Sequence, residues 1–252
     1  MSRATGERGL ALPTRRIAIL GAESTGKSWL AQALAEAIGA AKPDAHAQHP
    51  TVHTVGEVLR SWCEREGRTP QAHEQAHIAQ QQADAVAHAQ GDWVIADTTP
   101  LMTAVYSHLL FDDTRLYPMA LAHHALYAHT LVTGLDLPWV ADGLQRDGPQ
   151  VRGPVDTLLR QALDGAGLPY RVVYGQGPQR LNNALLALGL PGTDLAAQTT
   201  RDKAQFAINQ GRNAWQCNDC SDPECEHTLF TRLLQPREPN ESRSHIYQKI
   251  KK

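Results

Sequence analysis

The sequence predicts an α/β fold, in which a doubly wound parallel sheet of about five strands carries helices on both faces. Short apolar strands alternate with longer helical segments along the chain, and this alternation is typical of a parallel sheet. The first strand runs into a glycine-containing turn and then a helix. Three of the four cysteines cluster near the end of the chain, which indicates a small Cys-rich C-terminal extension.

The first strand is predicted at 16–20, where RIAIL is short and aliphatic, as expected of a strand buried on both faces. A helix is predicted at 27–38, where leucine and isoleucine recur at helical spacing and Gly39 supplies a stop. An Ala-, Gln- and His-rich segment predicts another helix at 70–90. The remaining strands are predicted at 51–55, 93–96, 130–133 and 170–174.

Composition excludes several classes of protein. The 252 residues carry 24 basic and 26 acidic side chains, so general coating of nucleic acid is disfavoured. A hydrophobic fraction of 42% supports a full core and excludes wholesale disorder. The sequence has neither an apolar run of about 18 residues nor an N-terminal signal peptide. We therefore expect a cytoplasmic protein with no membrane partner.

The strongest motif matches G-x-x-x-x-G-K-[ST] and lies between the first predicted strand and helix, which is the context that a phosphate-binding P-loop requires. Lys27 is expected to reach the β- and γ-phosphates of ATP, and the Ser28 hydroxyl to bind Mg²⁺. The sequence thus predicts a P-loop NTPase fold with ATP and Mg²⁺ as cofactors. The predicted ATP-binding residues are Gly21, Ala22, Glu23, Ser24, Thr25, Gly26, Lys27 and Ser28.

Two further groups of residues are candidates for the reacting centre. Asp97 directly follows the strand WVIA, where a carboxylate faces Mg²⁺ or orients an acceptor hydroxyl; the alternative is a helix N-cap. Glu57 and Arg60 lie one helical turn apart, either in an acceptor site with Glu57 as a base or as a surface ion pair.

Two loops are also candidates for the site. The glycine-rich segment 139–153, which contains Arg146, is interpreted as a lid over the transferred phosphoryl group or as a surface loop. The segment 175–180 is placed by topology near the adenine, or else forms a flexible glycine turn.

The C-terminal cysteines form the pattern C-x-x-C-x-x-x-x-C-x-H, which offers four ligands for a structural Zn²⁺ ion. A redox pair or unligated thiols are the alternatives. The sequence thus divides into a disordered N-terminus at 1–14, a P-loop kinase or ATPase domain at 15–210, and an extension with a basic tail at 211–252. The candidate zinc ligands are Cys217, Cys220, Cys225 and His227.

These motifs together resemble the ribosylnicotinamide kinase domain of the NadR type, within the NadR-like AAA/P-loop ATPases, over roughly 16–188. The adenylyltransferase and helix-turn-helix domains of multidomain NadR proteins do not precede the P-loop here, and Trp29 stands where a small or aliphatic residue is expected. The resemblance rests on IAILGAESTGKSWLAQALA, VGEVLR, GRTPQAHEQ, ADTTPLMTAVYS and PWVADGLQR.

The resemblance implies transfer of the ATP γ-phosphate to nicotinamide riboside, which gives nicotinamide mononucleotide in NAD biosynthesis. It implies that Glu57 and Arg60 lie in the acceptor site, that Asp97 serves metal or acceptor, and that Arg146 lies in the lid. It also implies that Asp142 contacts the acceptor or the metal. The alternative hypothesis is an ATP-binding regulatory switch whose Cys-rich tail binds a protein partner.

Overall fold

The computed structural model describes residues 14–41, 48–140 and 148–192 of the chain. In this part the predicted α/β fold is confirmed, and the predicted strands agree with the observed ones to within one or two residues at each end. The five strands are β1 (Arg15–Leu20), β2 (Val52–Val55), β3 (Trp93–Asp97), β4 (His129–Thr133) and β5 (Arg171–Val173).

Helices connect the strands, as the sequence predicts. A 3-10 turn at Pro149–Val151 precedes the sixth helix. No helix among the described residues is both long and apolar enough to cross a membrane. The helices are α1 (Lys27–Ala40), α2 (Val58–Glu66), α3 (Gln75–His88), α4 (Pro100–Phe111), α5 (Tyr117–His124), α6 (Arg152–Gly165) and α7 (Gly177–Ala187).

Two predicted helix boundaries are wrong. α1 continues through Gly39 to Ala40, and the backbone N–H of Ala41 closes it by donating to the Ile38 carbonyl at 3.1 Å. α3 begins at Gln75 instead of position 70. The Glu74 carboxylate accepts the backbone N–H of Gln71 at 2.8 Å and forms an ion pair with Arg68 at 2.7 Å. These contacts hold the residues just before α3 in a turn.

The sheet is entirely parallel, with strand order β2-β3-β1-β4-β5. β1 therefore lies in the centre, and the chain moves to one side of it for β2 and β3 and to the other side for β4 and β5. The carboxyl ends of all five strands share one edge. In such sheets, ligands bind at this edge where the strand order reverses, which here is at the end of β1.

Alternate residues of β1 build two cores. Ile17 and Ile19 are fully buried against α1 and α7 on one face, and Ala18 and Leu20 are fully buried against α4 and α6 on the other. A strand that is covered on both faces has few ways to shift its register. The loop that follows β1 is thus fixed to a rigid base.

A buried histidine ends α5. The His124 side chain is 1% exposed, with Nδ1 lying 3.3 Å from Thr99 Oγ1 and Nε2 lying 2.9 Å from Thr130 Oγ1. Burial, with a smaller contribution from the neighbouring His123, lowers the pKa of His124 from 6.5 to about 4. The imidazole therefore stays neutral in the folded protein at pH values where the unfolded chain takes up a proton.

This difference in pKa predicts a pH-dependent stability. The contribution of His124 to the free energy of unfolding is complete above pH 6.5 and is lost as pH falls toward the folded pKa of about 4. Between these two pH values the free energy of unfolding falls by up to about 1.4 kcal/mol per pH unit, and the His124 contribution that is lost totals about 3 kcal/mol. Urea unfolding between pH 7.5 and 4.5 measures it.

His124→Gln is the variant for this measurement, because it keeps polar atoms near the two threonines but does not titrate. Its free energy of unfolding is expected to change less between pH 6.5 and 4.5 than that of the wild type, whatever its stability at pH 7.5. Burial also lowers the pKa values of His123 and His129, so part of the slope remains in the variant. Equal slopes in the two proteins would contradict the assignment to His124.

Candidate active site

The predicted P-loop lies between β1 and α1, at the carboxyl edge of the sheet. Three of its residues have positive φ: Gly21 (145°), Ser24 (54°) and Gly26 (75°). Successive turns of this kind direct backbone N–H groups inward and form a concave anion site, to which the N-terminus of α1 adds partial positive charge. The loop thus has the backbone shape of a phosphate site.

Thr25 anchors the loop to the sheet. Its hydroxyl donates to the Ala22 carbonyl at 2.7 Å and lies 2.6 Å from Thr133 Oγ1 at the end of β4. Thr133 Oγ1 in turn lies 3.1 Å from the Leu20 carbonyl. All these oxygens are buried, so the contacts fix the floor of the loop without competition from water.

Arg180 of α7 supports the loop from behind and is 1% exposed. Its guanidinium donates to the backbone carbonyl of Thr25, to the Gly175 carbonyl at 2.7 Å and to the Asp136 carboxylate at 2.6 Å. The other oxygen of Asp136 accepts the Gly175 N–H at 2.6 Å. Burial lowers the pKa of Arg180, and the charge of Asp136 opposes this change.

The segment 175–180, predicted either to lie near the adenine or to form a glycine turn, connects β5 to α7 beside the P-loop. Gly175 (φ 99°) makes the turn, α7 begins at Gly177, and Arg180 lies against the P-loop. Thr133 and Asp136 are not among the site residues that the sequence predicts. A usable signal was present, because both follow or end β4 and therefore lie at the same edge of the sheet as the P-loop.

Lys27 lies inside the loop and is 7% exposed. Its Nζ donates to the Ala22 carbonyl at 2.9 Å. Burial lowers the pKa of Lys27, while the nearby carboxylates of Glu57 and Asp97 act in the opposite direction. The ammonium group is thus held where phosphate charge collects in a P-loop, with two acidic side chains close to it.

Asp97 is the last residue of β3, paired in register with Ile19 of β1. It is 6% exposed, and its Oδ1 is buried without a hydrogen-bond partner among the described residues. The N-cap of α4 is Thr99, whose Oγ1 accepts the Leu101 N–H at 3.2 Å. The alternative interpretation of Asp97 as the N-cap is therefore wrong.

The side chains of Glu57 and Arg60 meet the P-loop. They form an ion pair of 3.0 Å at the start of α2, and Arg60 also donates to Ser28 Oγ at 3.2 Å. The Glu57 side chain is 12% exposed. The ion pair considered as an alternative therefore does form, and it lies beside the predicted metal-binding hydroxyl instead of on a remote surface.

The structure describes the predicted lid segment 139–153 only at 139–140 and 148–153. Ser24 Oγ lies 2.8 Å from the Val140 carbonyl and 3.3 Å from the Val140 nitrogen, so the start of the segment contacts the P-loop. Arg152 begins α6, is 8% exposed and donates to the Leu135 carbonyl at 3.2 Å. It is therefore not a solvated loop arginine. Asp142 and Arg146 lie outside the described residues.

The predicted zinc ligands Cys217, Cys220, Cys225 and His227 also lie outside the described residues, as does the predicted extension at 211–252. Across the described ranges, no group of three or more His, Cys, Asp or Glu side chains is placed to hold a metal ion. A P-loop does not need such a cage, because Mg²⁺ there takes one or two protein ligands and relies on phosphate oxygens and water for the rest.

Comparisons with known proteins agree with this geometry. A family model described as an AAA domain matches residues 16–180, which span the sheet and the P-loop. No curated protein matches the chain. The resemblance that the sequence motifs predict is confirmed by this family match and by the fold of a solved NadR protein.

That solved structure is described as NadR protein in complex with NR. It is 20% identical to this chain, with a TM-score of 0.55, over 69% of this chain and 50% of the other. The chain thus spans about half the length of that NadR structure, and the likeness at this identity shows the fold. A thymidylate kinase from Ehrlichia chaffeensis is 12% identical, over 69% of this chain and 98% of the other, with a TM-score of 0.49.

Proposed function

Because the chain belongs to the AAA-domain family whose model matches residues 16–180, we propose that it is an ATP-dependent kinase acting on a small nucleoside. We propose nicotinamide riboside as the acceptor and nicotinamide mononucleotide as the product. One observation carries the proposal: the buried Asp97 carboxylate and the Glu57–Arg60 pair converge on Lys27 and Ser28 of the P-loop. Of two carboxylates at this place, one can bind the metal ion and the other can orient the hydroxyl that attacks the γ-phosphate.

The residues present fit Mg²⁺. Ser28 offers a hydroxyl oxygen, and Asp97 offers a buried carboxylate oxygen that lacks a partner in the described part of the chain. When bound, Mg²⁺ would offset negative charge on the phosphate oxygens. The P-loop N–H groups and Lys27 bind the same phosphates and hold the γ-phosphoryl group in a fixed orientation.

The reaction itself is a displacement at phosphorus. A hydroxyl oxygen of the acceptor forms a bond to the γ-phosphorus while the bond to the oxygen bridging the β- and γ-phosphates breaks, and ADP leaves with that electron pair. Glu57 and Asp97 place the acceptor hydroxyl, and its proton passes to a carboxylate of this pair. Lys27 stabilises the charge on the phosphates throughout.

The direct test incubates the full chain with Mg²⁺-ATP and a panel of nucleosides headed by nicotinamide riboside. Mass spectrometry follows ADP and the phosphorylated nucleoside. We expect nicotinamide mononucleotide to form in amounts equal to ADP. Lys27→Ala is expected to abolish the product, because it removes the ammonium group that binds the phosphates.

A matched pair of arginine variants on α2 tests the acceptor side. Arg60→Ala is expected to lower kcat/KM for the nucleoside, whereas Arg65→Ala is not, because the exposed Arg65 pairs with Glu66 at 3.0 Å. ATP hydrolysis that no nucleoside stimulates, with no phosphorylated product, would contradict the kinase proposal. That result would favour the alternative of an ATP-binding switch.

A further inference from the structure

Trp29 is an exposed aromatic side chain next to the P-loop. It directly follows Ser28, lies in the first turn of α1, and is 47% exposed. Ordinary helix packing does not account for it, because the buried face of α1 is formed by other residues, among them Leu30 and Leu34. The indole is a feature of this chain, since the family resemblance leads us to expect a small or aliphatic residue at this position.

Trp29 forms one wall of a groove between α1 and α7. The groove has a volume of about 480 Å³, within the range of small-molecule sites. The α1 wall continues along the helix, and Pro178 and Leu181 of α7 form the opposite wall; the further α1 residues are Gln32, Ala33, Glu36 and Ala37. At the Trp29 end, a flat ring that enters the groove has an indole on the α1 side and aliphatic side chains on the α7 side.

The Trp29 end of the groove lies near the phosphate site. α1 and α7 each follow a parallel strand, so both helices begin at the carboxyl edge of the sheet, and Trp29 and Pro178 lie in their first turns. Arg180 connects the two walls, because it extends from α7 and donates to the Thr25 carbonyl of the P-loop. The walls of the groove and the phosphate-binding backbone are therefore held together as one site.

We propose that this groove holds the base of ATP, with the Trp29 indole stacked on the adenine ring. The inference rests on the proposed function only in requiring ATP phosphates on the P-loop. A nucleotide whose phosphates lie on this P-loop has its sugar and base within reach of the first turn of α1, which contains Trp29. Stacking between an aromatic side chain and a base changes affinity by about 5- to 100-fold.

The experiment separates base binding from phosphate binding. Isothermal titration measures the affinity of the full chain for Mg²⁺-ATP and for Mg²⁺-tripolyphosphate, in wild type, Trp29→Ala and Trp29→Phe. We expect Trp29→Ala to weaken ATP binding by about 5- to 100-fold and to leave tripolyphosphate binding unchanged. Trp29→Phe retains a ring and is expected to retain most of the affinity for ATP.

Fluorescence gives a second readout, because ATP is expected to quench Trp29 emission in the wild type and to quench little in Trp29→Phe. Phe111→Ala is the matched control: Phe111 is 38% exposed at the far end of α4, away from the carboxyl edge, and its loss is expected to leave both affinities unchanged. Thermal unfolding verifies that each variant is folded.

Three results would overturn the inference: Trp29→Ala binding ATP as tightly as the wild type, an equal weakening of ATP and tripolyphosphate, or no binding of ATP by the wild type. The first result would indicate that the groove binds a protein segment instead of the base of ATP. None of the titrations depends on turnover. A protein that binds ATP through Trp29 but phosphorylates no nucleoside would therefore keep this inference and lose the proposed kinase activity.

Discussion

Asp97→Asn is expected to lower the rate of phosphoryl transfer by about two to three orders of magnitude, while the protein remains about as stable as the wild type. The proposed role of Asp97 depends on its negative charge, which asparagine lacks. Asparagine has nearly the same shape, and the buried Oδ1 has no hydrogen-bond partner in the described part of the chain for the substitution to break. Single-turnover kinetics and urea unfolding measure the two effects.

Asp92→Asn is the matched control for this variant, because Asp92 stands at the opposite end of β3 on the amino edge of the sheet. Its carboxylate accepts the backbone N–H of Thr51 at 2.7 Å and the Thr51 hydroxyl at 2.8 Å. We expect Asp92→Asn to leave the rate of phosphoryl transfer unchanged. A parallel loss of activity and stability in Asp97→Asn would instead indicate a structural role for Asp97.

Asp136→Ala is expected to lower the free energy of unfolding by about 3 kcal/mol, because it leaves the buried guanidinium of Arg180 without its carboxylate partner. The figure is at the low end for a buried pair, since the Asp136 side chain is 30% exposed. The variant also removes the acceptor of the Gly175 N–H and leaves the guanidinium that donates to the Thr25 carbonyl less firmly held. We therefore expect weaker binding of Mg²⁺-ATP as well.

Two variants delimit this effect. Replacing both partners, as Asp136→Leu with Arg180→Met, removes the unpaired charge and is expected to restore part of the stability but not the affinity for ATP. Arg115→Ala breaks an exposed pair with Asp113, 2.7 Å apart, and is expected to change stability far less. A loss in Asp136→Ala no larger than that in Arg115→Ala would contradict the supporting role of Arg180.

The centre of the fold could be predicted because β1 and β3 are short and carry continuous apolar runs. All five residues of β3 and four of the six residues of β1 are buried. The start of α3 could not be predicted, because it depends on the turn that Glu74 makes with Arg68 and Gln71. Helix propensity in the segment from 70 onward does not contain that information.

The site residues could be predicted where they are neighbours in the sequence or directly end a predicted strand. The P-loop is eight consecutive residues, and Asp97 is marked by the strand that it ends. The end of β4 places Thr133 at the same edge of the sheet, but the contacts behind the loop join residues far apart in the sequence. Arg180 and Thr25 are 155 positions apart, and Thr133 and Thr25 are 108 apart. Such contacts follow from strand order, which a single sequence does not give.

The fit between Gly21 and Thr133 constrains how this protein can evolve. A Cβ atom at position 21 would collide with the Thr133 hydroxyl, and the φ of 145° at Gly21 disfavours other residues as well. A smaller residue at position 133 would remove the collision with the hydroxyl but not the backbone strain, nor the close approach of Thr25 Oγ1 and the Thr133 carbonyl. Gly21 is therefore expected to stay glycine whichever residue stands at position 133, whereas position 133 can vary while Gly21 is kept.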